Sequence, residues 1–327
     1  MVEFWTFVLG LSVLLYILLD GFDLGVGMLF PFASGESERR RMLASISPVW
    51  DGNETWLVVS AATLFGAFPT VFSIVLSAFY LPLFLMLAGL ILRGVAFEFR
   101  YKATYSRPIW DAGFVAGSYI AAFVQGAAVG AIVQGLPVEN GIFTGGPMSW
   151  ASPFSLLCGL GLCIGYAMIG ACWIAGKTEG SPRAFAFRVL PGLMGVLLAF
   201  LVVVFVWSAA IQLPVLHRWI ERPLLLLCPL IGFLAFAGLV QAVRRRSDRF
   251  LFLGAMTIFA SAFAALAGSF LPYMLPFSLT IWDAASPQAS LEFLFWGAGL
   301  FVLPLTVGYT LVVYFVFRGK TLDEGYH

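Results

Sequence analysis

The run "YILLDGFDLGVGML", Tyr16 to Leu29, is apolar enough for a membrane helix, yet it carries two aspartates, Asp20 and Asp23. An acid at the centre of a membrane helix costs about 3 kcal/mol on insertion scales. The i, i+3 spacing puts both acids on one helix face. The stretch therefore reads as a membrane helix with one polar face, and that face needs partners from other helices.

The rest of the chain has the same character. Of its 327 residues, 61% are hydrophobic and 11% are charged, and the mean hydropathy is +0.96. Soluble domains carry about 25% charged residues. The composition is that of an all-α polytopic integral membrane protein, a single membrane domain over residues 1–327. A net charge of +1 excludes the basic footprint of a nucleic-acid binder. The opening "MVEFWTFVLG" has no basic region ahead of its apolar run and no small-residue cleavage site, so it reads as the first span and not as a removed signal peptide.

Apolar runs of about twenty residues mark spans, and about nine are present. They cover roughly 4–30, 52–70, 73–97, 111–135, 153–176, 189–213, 224–243, 250–272 and 291–317. Lys and Arg concentrate in alternate connections: "ESERRR" (36–41), "RYKATYSR" (100–107), Lys177 with Arg183 and Arg188, "RRRSDR" (244–249), and "RGK" (318–320). The connections between them are poor in these residues; only the sixth holds any Arg, at Arg218 and Arg222. The positive-inside rule then puts the N-terminus outside and the C-terminus in the cytoplasm. Close helix packing is expected at Gly21/Gly25, Gly113/Gly117, Gly126/Gly130 and Gly161/Gly165. Trp5, Trp110, Trp150 and Trp282 read as interfacial anchors.

Cys158, Cys163, Cys172 and Cys228 all lie in apolar runs without metal spacing, and read as small buried hydrophobes. The histidines are His217, in an expected loop, and His327. A multi-haem membrane subunit uses helix histidines as axial ligands. No haem is therefore expected in this chain, and no metal site.

The charges inside the spans gather in residues 1–135, while 153–317 read as mostly apolar packing helices. Asp51 and Glu54, in "SPVWDGNETWL" (47–57), share one face at the start of the second span. Arg93 and Arg100, in "LILRGVAFEFR" (90–100), stand two turns apart with Glu98 between them, and Asp111 opens the fourth span. All fall toward the same membrane side, which predicts one carboxylate and arginine cluster. One reading is structural, with Asp and Arg locking helices together. The other is a proton or ion conduit, because clustered intramembrane carboxylates are the material of proton relays. A secondary transporter or channel would also carry such acids, though it would usually show broken helices at the midplane and a repeat. An assembly scaffold without chemistry of its own is a further reading.

Three motifs in order, "DGFDLGVGML" (20–29), "SPVWDGNETWL" and "LRGVAFEFR" (92–100), resemble subunit II of the cytochrome bd-type quinol oxidases. The nine-span layout is similar over the whole chain, and the compact length resembles the shorter, cyanide-insensitive branch. The sharp motifs cover about residues 16–102, and the second half matches by hydropathy alone. The resemblance implies a multi-pass subunit of the bacterial inner membrane. Its partner would be a haem-bearing subunit I with two b-type haems and one d-type haem, which oxidises quinol and reduces dioxygen to water with cytoplasmic protons. Small single-span accessory subunits and a bound quinone or lipid are also implied as partners. Subunit II would carry no haem and would contribute part of the proton path. By motif position the proton-pathway candidates are Asp23 and Asp51, then Asp20; Arg93 also matches, as their charge partner. Where many members have Gln after "WDGN", this chain has Glu54, a further titratable candidate. Glu98 and Arg100 are taken as charge partners or structural groups, and Trp50, Asn53 and Trp56 as packing and hydrogen-bonding residues of the motif.

Overall fold

The computed structural model describes residues 1–211 and 213–321. The chain is built almost wholly of α-helices, with two small β-hairpins in its connections, Val138–Glu139 with Ile142–Phe143 and Tyr273–Leu275 with Leu279–Thr280. In chain order the helices are α1 (Val2–Leu29), α2 (Glu36–Ile46), α3 (Trp50–Ala67), α4 (Pro69–Ala78), α5 (Tyr80–Lys102), α6 (Arg107–Gln134), α7 (Pro153–Lys177), α8 (Ser181–Ala210), α9 (Pro214–Glu221), α10 (Leu227–Arg244), α11 (Leu251–Phe270), α12 (Gln288–Leu294) and α13 (Leu300–Val316). A single π-turn, Phe295–Gly299, joins α12 to α13.

Among the described residues, eight helical segments are long and apolar enough to cross a membrane: α1, α5, α6, α7, α8, α10, α11 and the α12–α13 unit. The remaining expected span is α3, an 18-residue helix whose first turns hold Asp51, Asn53 and Glu54 and so dilute its hydropathy. The expected run 73–97 divides differently. Pro69 disfavours helical geometry at the residue before it, and Phe68 accordingly leaves the helix with φ −136° and ψ 58°. The short α4 follows, Phe79 breaks the chain again, and α5 starts at Tyr80 with Pro82 in its first turn, where its missing N–H costs nothing. His217 lies on the short α9 and not in a loop.

The bundle centres on α7, the most buried of the long helices, while α13 is the least buried. Backbones meet directly where α1 crosses α7. A Cβ on Gly25 would lie 1.9 Å from the Tyr166 carbonyl oxygen, and one on Gly170 would lie 2.5 Å from the Gly25 carbonyl carbon. Only glycine permits that approach, which brings the acidic face of α1 into the middle of the bundle. At one end of the bundle, Asp248 pairs with Arg183 at 2.8 Å and with Lys320 at 3.2 Å. Burial works against the Asp248 charge, but hydrogen bonds from Arg183 and Lys320 outweigh it and hold the carboxyl below its ordinary range. The first turn of α8, the α10–α11 connection and the segment after α13 are thereby tied together.

Candidate functional site

Asp20 and Asp23 point inward from α1 and are sealed, with 0% and 1% of each residue exposed. Arg93, on α5, meets them in the interior. Its Nη1 donates to Asp20 Oδ1 at 2.7 Å and its Nη2 to Glu54 Oε2, on α3, at 3.0 Å. A planar guanidinium can serve two carboxylates at once and stays charged when buried, which a lysine does not match. One side chain from α5 thus ties α1 to α3.

Asp23 has a different partner. Asn53 Nδ2 donates to Asp23 Oδ2 at 2.7 Å and to the Leu19 carbonyl at 3.2 Å. The Tyr314 hydroxyl, from α13, donates to Asn53 Oδ1 at 2.9 Å. A second chain reaches α1 one turn away: Tyr166 on α7 donates to Gln125 Oε1 at 2.9 Å, and Gln125 Nε2, on α6, donates to Tyr16 at 2.8 Å. Tyr16 stands one turn before Asp20 on the same helix.

Three buried polar atoms here have no hydrogen-bond partner among the described residues: Asp20 Oδ2, Asp23 Oδ1 and Arg93 Nε. Three carboxyls (Asp20, Asp23 and Glu54) face one guanidinium. Full ionisation would leave two negative charges in a low-dielectric interior without compensation among the described residues, a costly state. Such a set can change charge by taking up and releasing protons.

The other sequence candidates fall into place around this core or outside it. Asp51 is exposed on the first turn of α3, next to half-buried Glu54 and close enough for the two charges to interact. Trp50 packs its ring 5.2 Å from that of Phe97, and Trp56 is buried. Glu98 is exposed and makes no ion pair among the described residues. Arg100 does not join Arg93. It pairs with Glu36 at 2.9 Å and with Asp111, which also takes Arg39 at 2.9 Å. The expected single cluster is therefore two. Seven residues of helix separate Arg93 from Arg100 by about 10 Å, so the two guanidinium groups sit at different depths. In the outer set, burial opposes the charge of Glu36, but hydrogen bonds from Arg100 and Arg40 prevail and keep its carboxyl below the ordinary value.

Tyr16, Gln125, Tyr166 and Tyr314 were not singled out from the sequence. Their only signal is a polar group in an otherwise apolar span. Tyr314 in particular lies some 260 residues from its partner Asn53, beyond any local pattern. All four cysteines are free, with Cys163 and Cys172 buried and Cys158 and Cys228 partly exposed. His217 is exposed, and His327 lies outside the described residues. Among the described residues no group of three or more His, Cys, Asp or Glu is placed to hold a metal ion.

A family profile described as cytochrome bd terminal oxidase subunit II matches residues 1–317. The chain is similar to the probable cytochrome oxidase subunit 2 of Haemophilus influenzae, with 31% identity covering 94% of this chain and 91% of the relative. It is similar to the cytochrome bd ubiquinol oxidase subunit 2 of Bacillus subtilis, with 30% identity over 97% and 96% of the two chains. The cytochrome bd-I ubiquinol oxidase subunit 2 of Escherichia coli K12 is 29% identical over 98% and 95%. A chain of the solved bd oxidase from Geobacillus thermodenitrificans superposes with a TM-score of 0.79 over 97% of this chain and 99% of that one. At 20% identity, that likeness speaks for the fold.

Proposed function

This chain belongs to the cytochrome bd terminal oxidase subunit II family, and from that premise we propose that it is the non-haem subunit of a quinol oxidase, stabilising a haem-bearing subunit I and carrying protons toward it. It is a multi-pass protein of the bacterial inner membrane and a subunit of a quinol:oxygen oxidoreductase complex. Family membership sets aside the secondary transporter or channel reading. On this proposal the two b-type haems, the d-type haem and the oxygen chemistry reside in subunit I. The broad apolar faces of α8, α10 and α13 suit contact with subunit I, single-span accessory chains, and quinone or lipid. The connections at 31–48, 98–110, 177–188 and 244–249 face the cytoplasm.

The observation that carries the proton-path reading is a gradient of burial along α3 and α1. Asp51 is exposed, Glu54 is half-buried, and Asp20 and Asp23 are sealed. A proton taken up at Asp51 reaches the interior acids through Glu54, with Arg93 holding the charge balance. The arrangement opens to one side, as uptake requires. Proton relay needs titratable groups within hydrogen-bond reach directly or through water. Asp51→Asn keeps the shape but cannot titrate. It is expected to lower quinol oxidase turnover at least tenfold with the haem spectrum intact, and Asp51→Glu is expected to retain partial activity. Normal assembly with wild-type turnover in Asp51→Asn, across pH 6 to about 8, would remove Asp51 from the path.

A further inference from the structure

We infer that Tyr314 is a positioning residue that directs the proton carried by Asp23 to one oxygen, Oδ1. The inference rests on the reading of Asp23 as a proton carrier. It starts from Asn53, whose amide has two N–H donors and one carbonyl oxygen. The Leu19 carbonyl can only accept, so the amide edge facing α1 at 3.2 Å is the nitrogen. The amide oxygen can only accept, so the Tyr314 hydroxyl at 2.9 Å donates to it. The amide is held at both ends, and its second N–H lies on Asp23 Oδ2 at 2.7 Å.

Asp23 Oδ2 therefore faces a hydrogen in either protonation state. A proton placed on Oδ2 would point at that N–H. When Asp23 is neutral, its proton belongs on Oδ1, the oxygen without a hydrogen-bond partner among the described residues in the sealed interior. Oδ1 is thus the atom from which a proton can leave. The charged groups that face this carboxyl are Asp20 on its own helix, Arg93 on α5 and Glu54 on α3; none of them donates to Oδ1.

Tyr314 stands on the least buried helix, whose end is fixed by Lys177: its Nζ donates to the carbonyls of Phe317 and, at 3.1 Å, Gly319. Without the Tyr314 hydroxyl, Asn53 Oδ1 is left buried without a donor. Turning the amide oxygen toward a protonated Oδ2 then costs the Leu19 bond alone and no longer the Tyr314 bond as well, so a larger share of the proton moves to Oδ2.

The test uses infrared difference spectra of the whole oxidase complex across a pH step. The carboxyl bands of Asp23 are identified by their loss in Asp23→Asn. Wild type is expected to show one narrow C=O band, and Tyr314→Phe to split it or shift it by several wavenumbers with the haem spectrum unchanged. An unmoved band in an assembled Tyr314→Phe complex overturns the inference, whatever the turnover. Should that variant fail to assemble, Asn53→Leu, which removes the donor on Oδ2, must displace the band; an unmoved band there overturns the inference equally. Turnover separates the two ideas. Wild-type turnover in Asp23→Asn together with a shifted band in Tyr314→Phe rejects Asp23 as part of the uptake path while the positioning stands. Lost turnover with an unmoved band does the reverse, and no Asp23 carboxyl band at any pH removes both.

Discussion

Arg93 lies 2.7 Å from Asp20 with both side chains sealed, 2% and 0% exposed. Its second arm, 3.0 Å from Glu54, makes it a bridge between α1, α3 and α5. A buried pair of this kind is weak evidence for stability, because desolvating both charges costs about as much as their attraction returns. Breaking it from one side is another matter, since the partner is left charged and alone.

Arg93→Met is therefore expected to destabilise the subunit by about 3–5 kcal/mol and to lower the yield of assembled complex sharply. Asp20→Leu combined with Arg93→Met should recover part of that loss, because the double change removes both charges, though it leaves Glu54 without its partner. Arg93→Lys should fall between, as an ammonium cannot fork between two carboxylates. Thermal midpoints and yields of the purified complex check the order. Equal yield for Arg93→Met and wild type would show that the pair carries no assembly role.

The α1–α7 crossing is expected to be equally intolerant. Gly25→Ala places a methyl 1.9 Å from the Tyr166 carbonyl oxygen, an obstacle of backbone and not of a movable side chain. Overpacking costs about 1–3 kcal/mol, and more where backbones must separate. Gly10, with open space around it, is the control: Gly10→Ala should be neutral or better in a helix. Comparable melting of the two variants would mean that the crossing can open without loss.

How much of this was legible in the sequence depended on distance along the chain. Spans show because a run of apolar residues is a local property, and Asp20 with Asp23 show because acids in such a run are costly. The break beside Pro69 shows in the sequence as the boundary between two apolar runs, but the second break at Phe79 was hidden, since α4 is as apolar as a span and only its length tells against it. The pairing of Arg100 with Glu36 and Asp111, and of Asn53 with Tyr314, depends on how helices stack. No period in the sequence reports that. Glu98 illustrates the converse: it sits between two arginines in the sequence and turns away from both, because five residues from Arg93 and two from Arg100 are different faces of the helix.

Glu36 sets a pH dependence. Its folded carboxyl lies below the ordinary value because hydrogen bonds from Arg100 and Arg40 outweigh the burial that opposes its charge. The unfolded reference is about 4.3. A lowered folded value means that the contribution is complete above that reference and disappears as pH falls through the folded value, since the arginines stay charged throughout. Glu36 is more than a third exposed, so the effect is at most about 1 kcal/mol. Glu36→Gln should melt slightly earlier than wild type at pH 7, and the gap should close below about pH 4. A gap that stays constant down to pH 3 would assign the difference to packing and not to ionisation.

On the proposed proton path, the orientation of the bundle decides which water phase Asp51 would draw on. The ion pairs of Arg100 with Glu36 and Asp111 put α2, the end of α5 and the start of α6 at one end of the bundle. The hairpin of Val138–Glu139 and Ile142–Phe143 follows α6 at the other. Basic residues crowd the first end, in 36–41 and 100–107, which the positive-inside rule therefore predicts to be cytoplasmic. Ser37 and Ser149 are both exposed, so a cysteine at either position presents itself to reagent. In a background cleared of Cys158 and Cys228, the two partly exposed native thiols, Ser149→Cys should react with an impermeant maleimide on intact cells. Ser37→Cys should react only after the cells are opened. The reverse pattern would turn the bundle over, place Asp51 on the outer side, and make the acid chain a route from the periplasmic phase instead of from the cell interior. Labelling at both positions on intact cells would instead indicate leaky cells, which a cytoplasmic marker enzyme in the medium detects, and the experiment is then read only from sealed right-side-out vesicles, where Ser37→Cys must stay unlabelled for the orientation to hold.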